Sequence, residues 1–483
     1  MSKLPIIKGV LKYIEENNLL FSMPGHKGGA GFLYTKEGKS FMENIIKYDL
    51  TEVDGLDNLH NSEGIIKESG NLLSRLYNSK KSYFLVNGST SGNLAMIFSA
   101  FKEGDKVIVE RNCHRSIFNG IVIRKLKPIY IKNKIYDKFN APLAIDLEHF
   151  LLLIEENKDA KGIIITYPNY YGICPNLQLI INKAKECGMK VLVDSAHGAH
   201  FVATDKLPED ALKLGADMVV MSAHKTLPSL TQTAFLHIGK KCDIDINKVD
   251  FFVSLFLSTS PSYIFLCSME YSRFYLDEYG KDNYNKFIKL CERYRIKINS
   301  IPNFHVIGEE DKKIFNYNFQ NVKYIDPTRY VINLNNGLSG YKLLDYLREN
   351  KIQCEMADSS NIVLILSPFY REKEMEKLYN CIKNCDCNSL KSDEIKTVKY
   401  LNDLNNQQKL LPFQVIDKDS QWIDIKESVD KINYNSIVPY PPGVPIIMPG
   451  ELITKEIVDA ICYYIYVGID VLGIQNNKIQ IIK

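Results

Sequence analysis

The sequence predicts an α/β fold built on a mostly parallel, seven-stranded sheet with helices on both faces. Two observations lead to it: short β-branched runs, and stretches between them whose apolar residues have helical spacing, such as Leu94, Ile97 and Phe98. Alternating strands and helices are typical of parallel sheets, because each crossover covers one face. The predicted strands are Ser82–Asn87, Lys106–Glu110, Pro128–Ile131, Gly162–Thr166, Lys190–Asp194, Met218–Met221 and Thr233–His237.

A chain of 483 residues is too long for one compact core, so we expect more than one domain. Residues 1–75 are rich in polar turns and form an N-terminal segment, with a helix expected at Leu4–Glu16. Residues 76–305 form the large domain. Its last part is helical in pattern and is broken at Ser258–Ser262.

Residues 306–483 form a smaller C-terminal α/β part. Strands are predicted at Arg329–Leu334 and Asn361–Leu366, on either side of a helix through Leu343–Leu347. The polar stretch Asp393–Gln408 is expected to be a linker or an exposed helix. Prolines in the last part predict a stiff, extended wall over Val438–Pro445.

Composition excludes several classes of partner. Charged residues make up 24% of the chain, the net charge is +3, and no basic block stands out, so nucleic acid is not expected. The start lacks the apolar core of a signal peptide, and no apolar run approaches 18 residues, so no membrane partner is expected. Eleven cysteines without a framework indicate a reducing cytoplasm.

No metal site is predicted. Cys381, Cys385 and Cys387 lie close together, but they lack a CxxC pair and have no histidine nearby, which favours free thiols over zinc. His197 and His200 are three residues apart and lack a clear third ligand.

The run Met218–Met221 is followed by Ser222, His224 and Lys225. A lysine at the mouth of a sheet can lose its proton, because burial disfavours the ammonium, and the neutral amine is a nucleophile. The neighbouring hydroxyl and imidazole are suited to an anion. Together they match what is needed to carry pyridoxal phosphate (PLP) as a Schiff base. The alternative is a solvated lysine that starts a loop.

A second cluster, Asn87–Asn93, directly follows a strand and opens a helix. Free N–H groups and the helix dipole at such a terminus attract phosphate, and the small hydroxyl residues Ser89, Thr90 and Ser91 add donors. A simple helix N-cap with a flexible turn is the alternative.

Two further strand ends carry candidate groups. Asp194 ends a buried strand, where a carboxylate needs a cationic partner, and the pyridine nitrogen of PLP would be one. His114 follows the strand that ends at Glu110 and is placed to stack on a planar ring. The alternatives are an aspartate that caps a helix and a histidine that only packs. Four candidates that each follow a strand favour one site at one sheet edge.

These residues resemble the PLP-dependent Orn/Lys/Arg decarboxylase family, which has the fold type I architecture. The resemblance covers nearly the whole chain. The start of the chain resembles that of the short, Gram-positive-type branch, since no flavodoxin-like wing domain precedes the first motif. The matching segments are Pro24–Gly29, Asp49–Glu52, Gly55–Asp57, Ser222–Lys225 with Thr231–Gln232, Pro441–Gly443 and Pro449–Glu451.

The resemblance implies a role for each matching residue. Lys225 would carry PLP, Asp194 would pair with its ring nitrogen, His114 would stack on the ring and Ala196 would pack below it. The implied cofactor-binding set is Ser89, Thr90, Ser91, His114, Asp194, Ala196, His197, Ser222, His224, Lys225 and Thr259. Thr259 would approach the phosphate across a subunit interface, so a homodimer, or an oligomer built from dimers, is implied.

The implied reaction is decarboxylation of a basic amino acid, with His224 or Lys225 returning a proton to Cα. Arginine, converted to agmatine and CO2 for polyamine synthesis, is the preferred substrate, and lysine and ornithine stay open. The acids available for the substrate tail are Asp54, Asp57, Glu355, Asp358 and Glu451. We expect no decisive arginine clamp on the carboxylate, because holding that charge stabilises the ground state.

Two other classes stay open. One is another fold type I enzyme, such as an aminotransferase or a carbon–sulfur lyase. An aminotransferase should hold the substrate carboxylate with an arginine from the small domain. The other is a non-catalytic PLP-binding regulator, which would keep the cofactor motifs without turnover.

Overall fold

The computed structural model describes residues 3–136, 139, 141–314, 321–391, 404, 406–440, 445–466 and 468–483. The strands are β1 (Leu19–Phe21), β2 (Lys81–Leu85), β3 (Lys106–Glu110), β4 (Lys127–Ile131), β5 (Asn133–Tyr136), β6 (Ala141–Ile145), β7 (Gly162–Thr166), β8 (Ile173–Pro175), β9 (Lys190–Asp194), β10 (Met218–Ser222), β11 (Ala234–Ile238), β12 (Phe304–Val306), β13 (Val322–Ile325), β14 (Arg329–Leu334), β15 (Ile352–Cys354), β16 (Met356–Ala357), β17 (Asn361–Ile365), β18 (Ser420–Asp424), β19 (Val438–Tyr440), β20 (Asp470–Leu472), β21 (Ile474–Gln475) and β22 (Lys478–Ile482).

The α-helices are α1 (Pro5–Glu15), α2 (Lys36–Glu43), α3 (Ile65–Leu76), α4 (Gly88–Ala100), α5 (Arg115–Ile123), α6 (Leu147–Glu156), α7 (Leu177–Glu186), α8 (Ala223–Thr226), α9 (Ile246–Phe256), α10 (Tyr263–Tyr275), α11 (Lys281–Asn299), α12 (Asp311–Ile314), α13 (Gly340–Glu349), α14 (Glu372–Lys383) and α15 (Lys455–Tyr466). None of these helices combines the length and the hydropathy needed to cross a bilayer.

The central sheet has seven strands in the order β2-β11-β10-β9-β7-β3-β4. All neighbours from β10 to β4 are parallel, whereas β11 runs antiparallel to both β10 and β2. Every residue of β10 and β11 is buried, which explains their continuous apolar runs. The seven runs predicted as strands all lie in this sheet, and the mostly parallel α/β fold is confirmed.

Helix α4 packs against β10 and β11 and so fixes the loop between β2 and α4 at the carboxyl ends of the strands. Gly92 permits this approach. A Cβ atom at that position would lie 2.6 Å from Leu85 Cδ1 and 3.0 Å from Val220 Cγ2. The glycine of the predicted phosphate loop therefore serves helix–sheet packing.

A smaller antiparallel sheet has the order β12-β14-β17-β16. It contains the strands predicted near residues 329–334 and 361–366, and α13 includes the helix predicted between them. Strand β1 pairs in parallel with β15, which ties the start of the chain to residues close to this sheet. The domain boundaries near residues 75 and 305 stay a prediction.

The last part of the chain forms the three-stranded sheet β18-β22-β21, the pair β19-β20 and α15. These elements share an apolar cluster of their own, which includes Ile425, Ile461 and Ile479. Pro441–Gly443 and most of Asp393–Gln408 lie outside the described residues, so the structure predicted for them stays a prediction.

Candidate active site

Polar side chains meet where the central strands end. Strands β9 and β10 are adjacent, with Val220 paired to Asp194, and Lys225 follows one turn later on α8. We call Ser89–Ser91, His114, Asp194 and Ser222–Lys225 the sheet edge. The structure brings these predicted residues to the same ends of neighbouring or nearby strands, as the parallel topology requires.

The first turn of α4 has no side-chain cap. Asn87, at the cap position, donates its side-chain N–H to Phe256 O at 3.3 Å instead. Ser222 Oγ donates to Ser89 Oγ at 2.9 Å, which joins the loop to the end of β10. Ser91 Oγ donates to Gly88 O at 2.8 Å. The helix N-terminus therefore presents backbone N–H groups to an anion, together with the hydroxyls of Ser89 and the exposed Thr90.

Asp194 is a buried carboxylate whose hydrogen bonds come from neutral groups. It accepts from Asn93 Nδ2 at 2.8 Å and from Ala196 N at 3.1 Å. No lysine, arginine or histidine nitrogen of the described residues lies within 4.0 Å of it, although it is only 2% exposed. A buried charge of this kind needs a cation that the protein itself does not place there.

Asn93 ends the predicted phosphate cluster Asn87–Asn93, but no role of its own was assigned to it from the sequence. Its side chain also donates to Ser116 Oγ at 2.8 Å, and Ser116 Oγ lies 2.9 Å from His114 Nδ1. The amide thus connects Asp194 with the predicted ring-stacking histidine. Its position in the first turns of the phosphate-loop helix was the available signal. His114 Nδ1 also accepts from Ser116 N and caps α5.

Lys225 contacts one protein group of the loop after β9. Its Nζ lies 3.0 Å from His197 Nε2. Burial lowers the pKa of Lys225, and the Arg329 charge lowers it further, while the charges of Asp194 and Glu355 oppose the shift. The amine is therefore more readily neutral than that of a surface lysine, as the nucleophile hypothesis requires.

His224 has a defined tautomer. Its Nδ1 lies 2.8 Å from Thr233 O, and a carbonyl only accepts, so Nδ1 carries the proton. Burial lowers the pKa of His224, and its Nε2 keeps a lone pair at neutral pH. The ring can therefore take a proton at Nε2.

The loop Pro24–Gly29 supports α8 from the other side. Gly25 N donates to His224 O at 2.7 Å, and a Cβ atom on Gly25 would lie 2.5 Å from Leu227 O. Lys27 is buried and donates to Ile365 O at 3.0 Å. Burial lowers the pKa of Lys27 to about 7, and the Glu355 charge opposes that shift.

Lys27, Arg329 and Glu355 form a second group, which we call the facing wall, since their charges act on one another or on Lys225. Arg329 was missed in the sequence as a site residue. It begins β14, is 2% exposed, and donates from Nη2 to His197 Nδ1 at 3.0 Å and from Nη1 to Tyr170 O at 3.1 Å. A buried arginine that starts a strand has no local sequence signal.

The candidate tail acids differ in what they bind. Asp54 is exposed. Asp57 accepts from the backbone N–H groups of Asn58, Glu63, Gly64 and Ile66, which lower its pKa against the effect of burial. Asp358 accepts from Tyr171 Oη at 2.7 Å, and burial raises its pKa to about 6.

The other two acids are Glu355 and Glu451. Glu355 accepts from Met23 N at 2.9 Å and from the Tyr170 hydroxyl. Glu451 binds Arg111 through both oxygens, with Nη2 to Oε2 at 2.8 Å, and is 1% exposed. Since Arg111 follows β3, the ion pair brings Glu451 to the strand ends. Thr259 is exposed on the loop after α9.

No group of three or more histidine, cysteine, aspartate or glutamate side chains suits a metal ion within the described ranges. His197 lies between Arg329 and Lys225, whereas His200 Nε2 is 3.2 Å from Asp326 Oδ2, so the two imidazoles have separate partners. All eleven cysteines are free.

The residues fit PLP. A protonated pyridine nitrogen matches the cation that buried Asp194 lacks, an uncapped helix N-terminus matches a phosphate, and Lys225 offers an amine with a lowered pKa. Ala196 is small and buried beside Asp194, as a residue below a planar ring would have to be.

Comparison with known proteins supports the same class. The model "Orn/Lys/Arg decarboxylase, major domain" matches residues 4–374, and "Orn/Lys/Arg decarboxylase, C-terminal domain" matches residues 393–468. The chain is 34% identical over 480 residues to the uncharacterized protein YaaO of Bacillus subtilis, covering 99% of this chain and 97% of that one. It is 30% identical over 496 residues to the arginine decarboxylase of Bacillus subtilis, with the same coverage.

Among solved structures, the lysine decarboxylase LdcF of Francisella novicida matches with a TM-score of 0.76 at 21% identity, over 96% of this chain and 79% of that one. At that identity the match shows the fold, which agrees with the fold type I prediction. The two family models together span most of the sequence. The chain therefore belongs to the Orn/Lys/Arg decarboxylase family of PLP-dependent amino acid decarboxylases.

Proposed function

We propose that this enzyme removes the carboxylate of a basic amino acid, with arginine as the main substrate and agmatine and CO2 as products. The observation that carries the proposal is the meeting, at one sheet edge, of the Lys225 amine, the buried Asp194 carboxylate and the uncapped N-terminus of α4. Arginine is preferred because relatives of about 30% identity include arginine decarboxylases of Bacillus subtilis and Halalkalibacterium halodurans. The amine product would feed polyamine synthesis.

PLP, when bound, supplies an electron sink for the charge left on Cα. Lys225 provides the amine that attaches it, and Asp194 holds a proton on the ring nitrogen. The residues that hold the phosphate are Ser89, Thr90, Ser91, Ser222 and His224. We propose that His114, Ala196 and His197 enclose the ring, and that Thr259 reaches the phosphate from a second subunit.

The proton that Cα needs after CO2 leaves can come from two groups. His224 keeps its Nδ1 proton on Thr233 O and can hold a second proton at Nε2. Lys225 is the other candidate, since its amine faces the site. Proton transfer from a positioned side chain typically contributes a factor of about 10²–10⁴ to the rate.

Arg329 is the observation that favours a second candidate function. An aminotransferase would use a small-domain arginine to hold the substrate carboxylate, and Arg329 begins β14 within the electrostatic reach of Lys225. Two of its N–H groups are already donated to His197 and to Tyr170 O. This internal use supports the decarboxylase over the aminotransferase, because a carboxylate that leaves as CO2 is better left without a fixed charge partner.

We propose that Glu355 or Glu451 receives the substrate tail. Hydrogen bonding within the protein does not separate the candidates, since Glu355 and Glu451 accept hydrogen bonds from protein groups just as Asp57 and Asp358 do. Position does: the charge of Glu355 acts on Lys225, the ion pair with Arg111 brings Glu451 to the end of β3, and Asp54 lies on an exposed loop. A carboxylate can bind a planar guanidinium through two hydrogen bonds.

We also propose a cytoplasmic homodimer. Helix α1 presents Ile6, Ile7, Val10, Leu11 and Ile14 on one face, and each is more than half exposed. An apolar face of that size favours burial by a partner. Light scattering of the purified protein should give twice the chain mass of 55.3 kDa.

One preparation tests the reaction. The PLP-loaded enzyme is incubated separately with arginine, lysine and ornithine, and CO2, amine and keto acid are measured. We expect CO2 and agmatine from arginine, with lower kcat/KM for the other two. Keto acid without CO2 would show an aminotransferase, and no turnover with any of the three would favour a regulator.

A further inference from the structure

Three buried or half-buried side chains form a line across the site: Arg329 on β14, His197 after β9 and Lys225 on α8. We propose that Arg329 is a positioning residue which, through His197, holds the Lys225 amine uncharged and oriented as a hydrogen-bond acceptor. The proposal rests on the proposed function in one respect only, which is that the Lys225 amine attaches the cofactor.

The hydrogen-bond order follows from which atoms carry protons. A guanidinium has only N–H donors, so the 3.0 Å contact from Arg329 Nη2 requires a lone pair on His197 Nδ1. A neutral imidazole then has its proton on Nε2, and this N–H points at Lys225 Nζ, 3.0 Å away. An ammonium has no lone pair, so the contact is a hydrogen bond only when Lys225 is the neutral amine.

Position and burial hold this order in place. Arg329 and His197 are 2% and 4% exposed, so water does not compete for the contact. Arg329 Nη1 also donates to Tyr170 O at 3.1 Å, which fixes the plane of the guanidinium. Gly172 makes room for it, because a Cβ atom there would lie 2.6 Å from Arg329 Cβ.

The charges and the burial around Lys225 and His197 favour the same neutral forms that the hydrogen-bond geometry requires. Burial and the charge of Arg329 lower the pKa of Lys225, while two carboxylates oppose them. Burial, Lys225 and Arg329 also lower the pKa of His197 well below its usual value, which keeps the ring neutral. The titratable and charged groups that face Lys225 are Asp194 on β9, His197 after β9, His114 before α5, His224 on α8, Arg329 on β14 and Glu355 between β15 and β16.

The neutral amine is the form that attacks the carbonyl carbon of PLP, so the line of side chains prepares Lys225 for that step. The nitrogen lone pair would form the new bond to carbon, and the carbonyl oxygen would leave as water with two protons, which balance the two that the amine loses. Arg329 donates its hydrogen bonds to His197 and to Tyr170 O, so its hydrogen-bonding effect on Lys225 passes through His197, and its charge acts in the same direction.

The test measures the reactivity of Lys225 directly. The full-length chain is freed of PLP and treated with trace acetic anhydride between pH 6 and 11, and the acetylation of Lys225 and of exposed Lys206 is followed by mass spectrometry. We expect Lys225 to react with a midpoint at least about one pH unit below that of Lys206. In Arg329→Met the midpoint should rise by about one unit, which lowers the reactivity of Lys225 at pH 7 about tenfold.

Two substitutions at His197 separate positioning from a structural role. His197→Gln can accept from Arg329 with its carbonyl and donate to Lys225 with its amide N–H, so its midpoint should stay within about 0.3 units of the wild type. His197→Phe can do neither, and its midpoint should rise as in Arg329→Met. Arg273→Met, which alters another buried arginine away from the site, should leave Lys225 unchanged.

The proposal is wrong if Arg329→Met and His197→Phe fold and leave the Lys225 midpoint where it was. It is also wrong if His197→Gln shifts the midpoint as far as His197→Phe does. If Arg329→Met does not fold, the proposal is tested by the difference between the Lys225 midpoints of His197→Gln and His197→Phe. Because the labelling needs neither PLP nor substrate, a negative result here differs from a failure to release CO2, which would count only against the proposed function.

Discussion

The sheet edge and the facing wall hold their charged groups in different ways. At the sheet edge Asp194 meets neutral donors only and has no protein cation within 4.0 Å among the described residues. At the facing wall Lys27, Arg329 and Glu355 are each engaged by groups of the protein. A buried carboxylate without a counter-charge in the protein indicates that a cationic ligand binds there. Charged groups that already have protein partners are better suited to position the site and to select the substrate. We expect substitutions at the sheet edge to abolish or strongly lower kcat, and those at the facing wall to change substrate binding and pH dependence.

The largest effect should follow removal of the Lys225 amine. Lys225→Ala should lose covalent PLP attachment, and kcat should fall by about 10⁴-fold or more, since the nucleophile and a proton carrier are lost together. Borohydride reduction followed by peptide mapping measures the attachment. Lys206→Ala, an exposed control, should keep both properties. Full turnover by Lys225→Ala would show that the sheet edge does not carry the chemistry.

Asp194→Asn should come next. The substitution keeps the shape but removes the charge that would hold a proton on the ring nitrogen, and we expect kcat to fall by about 10²–10³-fold. In the wild type Asn93 Nδ2 donates to Asp194 Oδ2, so the new amide can also set one N–H donor against another. Loading with N-methylated PLP, whose ring is permanently charged, should restore part of the rate. No difference between the two cofactors would argue against the assigned role of Asp194.

The sheet edge and the facing wall also differ in how well they could be predicted from the sequence. The strand ends of the central sheet were predictable because each lies beside its own apolar run, and parallel topology then gathers Asp194 and Lys225 without further information. The hydroxyls of the α4 loop were predictable for the same reason. Even here the role of Asn93 was missed, since a polar residue inside a helix gives no sign of the partner it meets.

The facing wall was less predictable. Arg329 starts a strand of the smaller sheet, and its contact with His197 spans 132 positions of the chain. Such a contact depends on how two sheets are placed, which local patterns do not specify. The acid at the substrate tail was left as five alternatives for that reason. The structure narrows them by position, since the charge of Glu355 acts on Lys225 and the ion pair with Arg111 brings Glu451 to the end of β3.

The third prediction concerns the wall and pH. The pKa of Lys27 is lowered to about 7 in the folded protein, from an ordinary value of 10.5. Between these values the unfolded chain binds more protons than the folded one, so the Lys27 contribution makes the free energy of unfolding rise with pH. From pH 7 to pH 9 this amounts to about 2–3 kcal/mol, at about 1.4 kcal/mol per unit.

Lys27→Met should lack this slope, which urea unfolding at pH 7, 8 and 9 would measure in both proteins. Lys206→Met provides the control, because an exposed lysine should leave the slope of the wild type unchanged. Equal slopes in the wild type and Lys27→Met would mean that the buried ammonium at the wall has no unusual proton affinity.

The fourth prediction separates the two tail acids. Loss of one charge-assisted hydrogen bond costs about 1.5–3 kcal/mol, so the responsible carboxylate, changed to Gln, should lower kcat/KM for arginine about 10–100-fold. The change should appear mainly in KM, since the tail is held equally before and during the reaction. Glu355→Gln and Glu451→Gln are compared on arginine and lysine. A fall in kcat alone, in both variants, would mean that neither acid holds the tail.

The smallest effect should come from Asp57, the candidate whose carboxylate the structure commits to the backbone. Its oxygens accept from Gly64 N and Ile66 N at 2.9 Å, at the start of α3. Asp57→Asn keeps one acceptor oxygen, loses the charge at this helix N-terminus and sets its amide N–H against backbone N–H donors, so the free energy of unfolding should fall by about 1–3 kcal/mol. KM for arginine should stay unchanged, which steady-state kinetics at several pH values would check. A large rise in KM with intact stability would return Asp57 to the substrate tail and remove the distinction of position on which Glu355 and Glu451 were chosen.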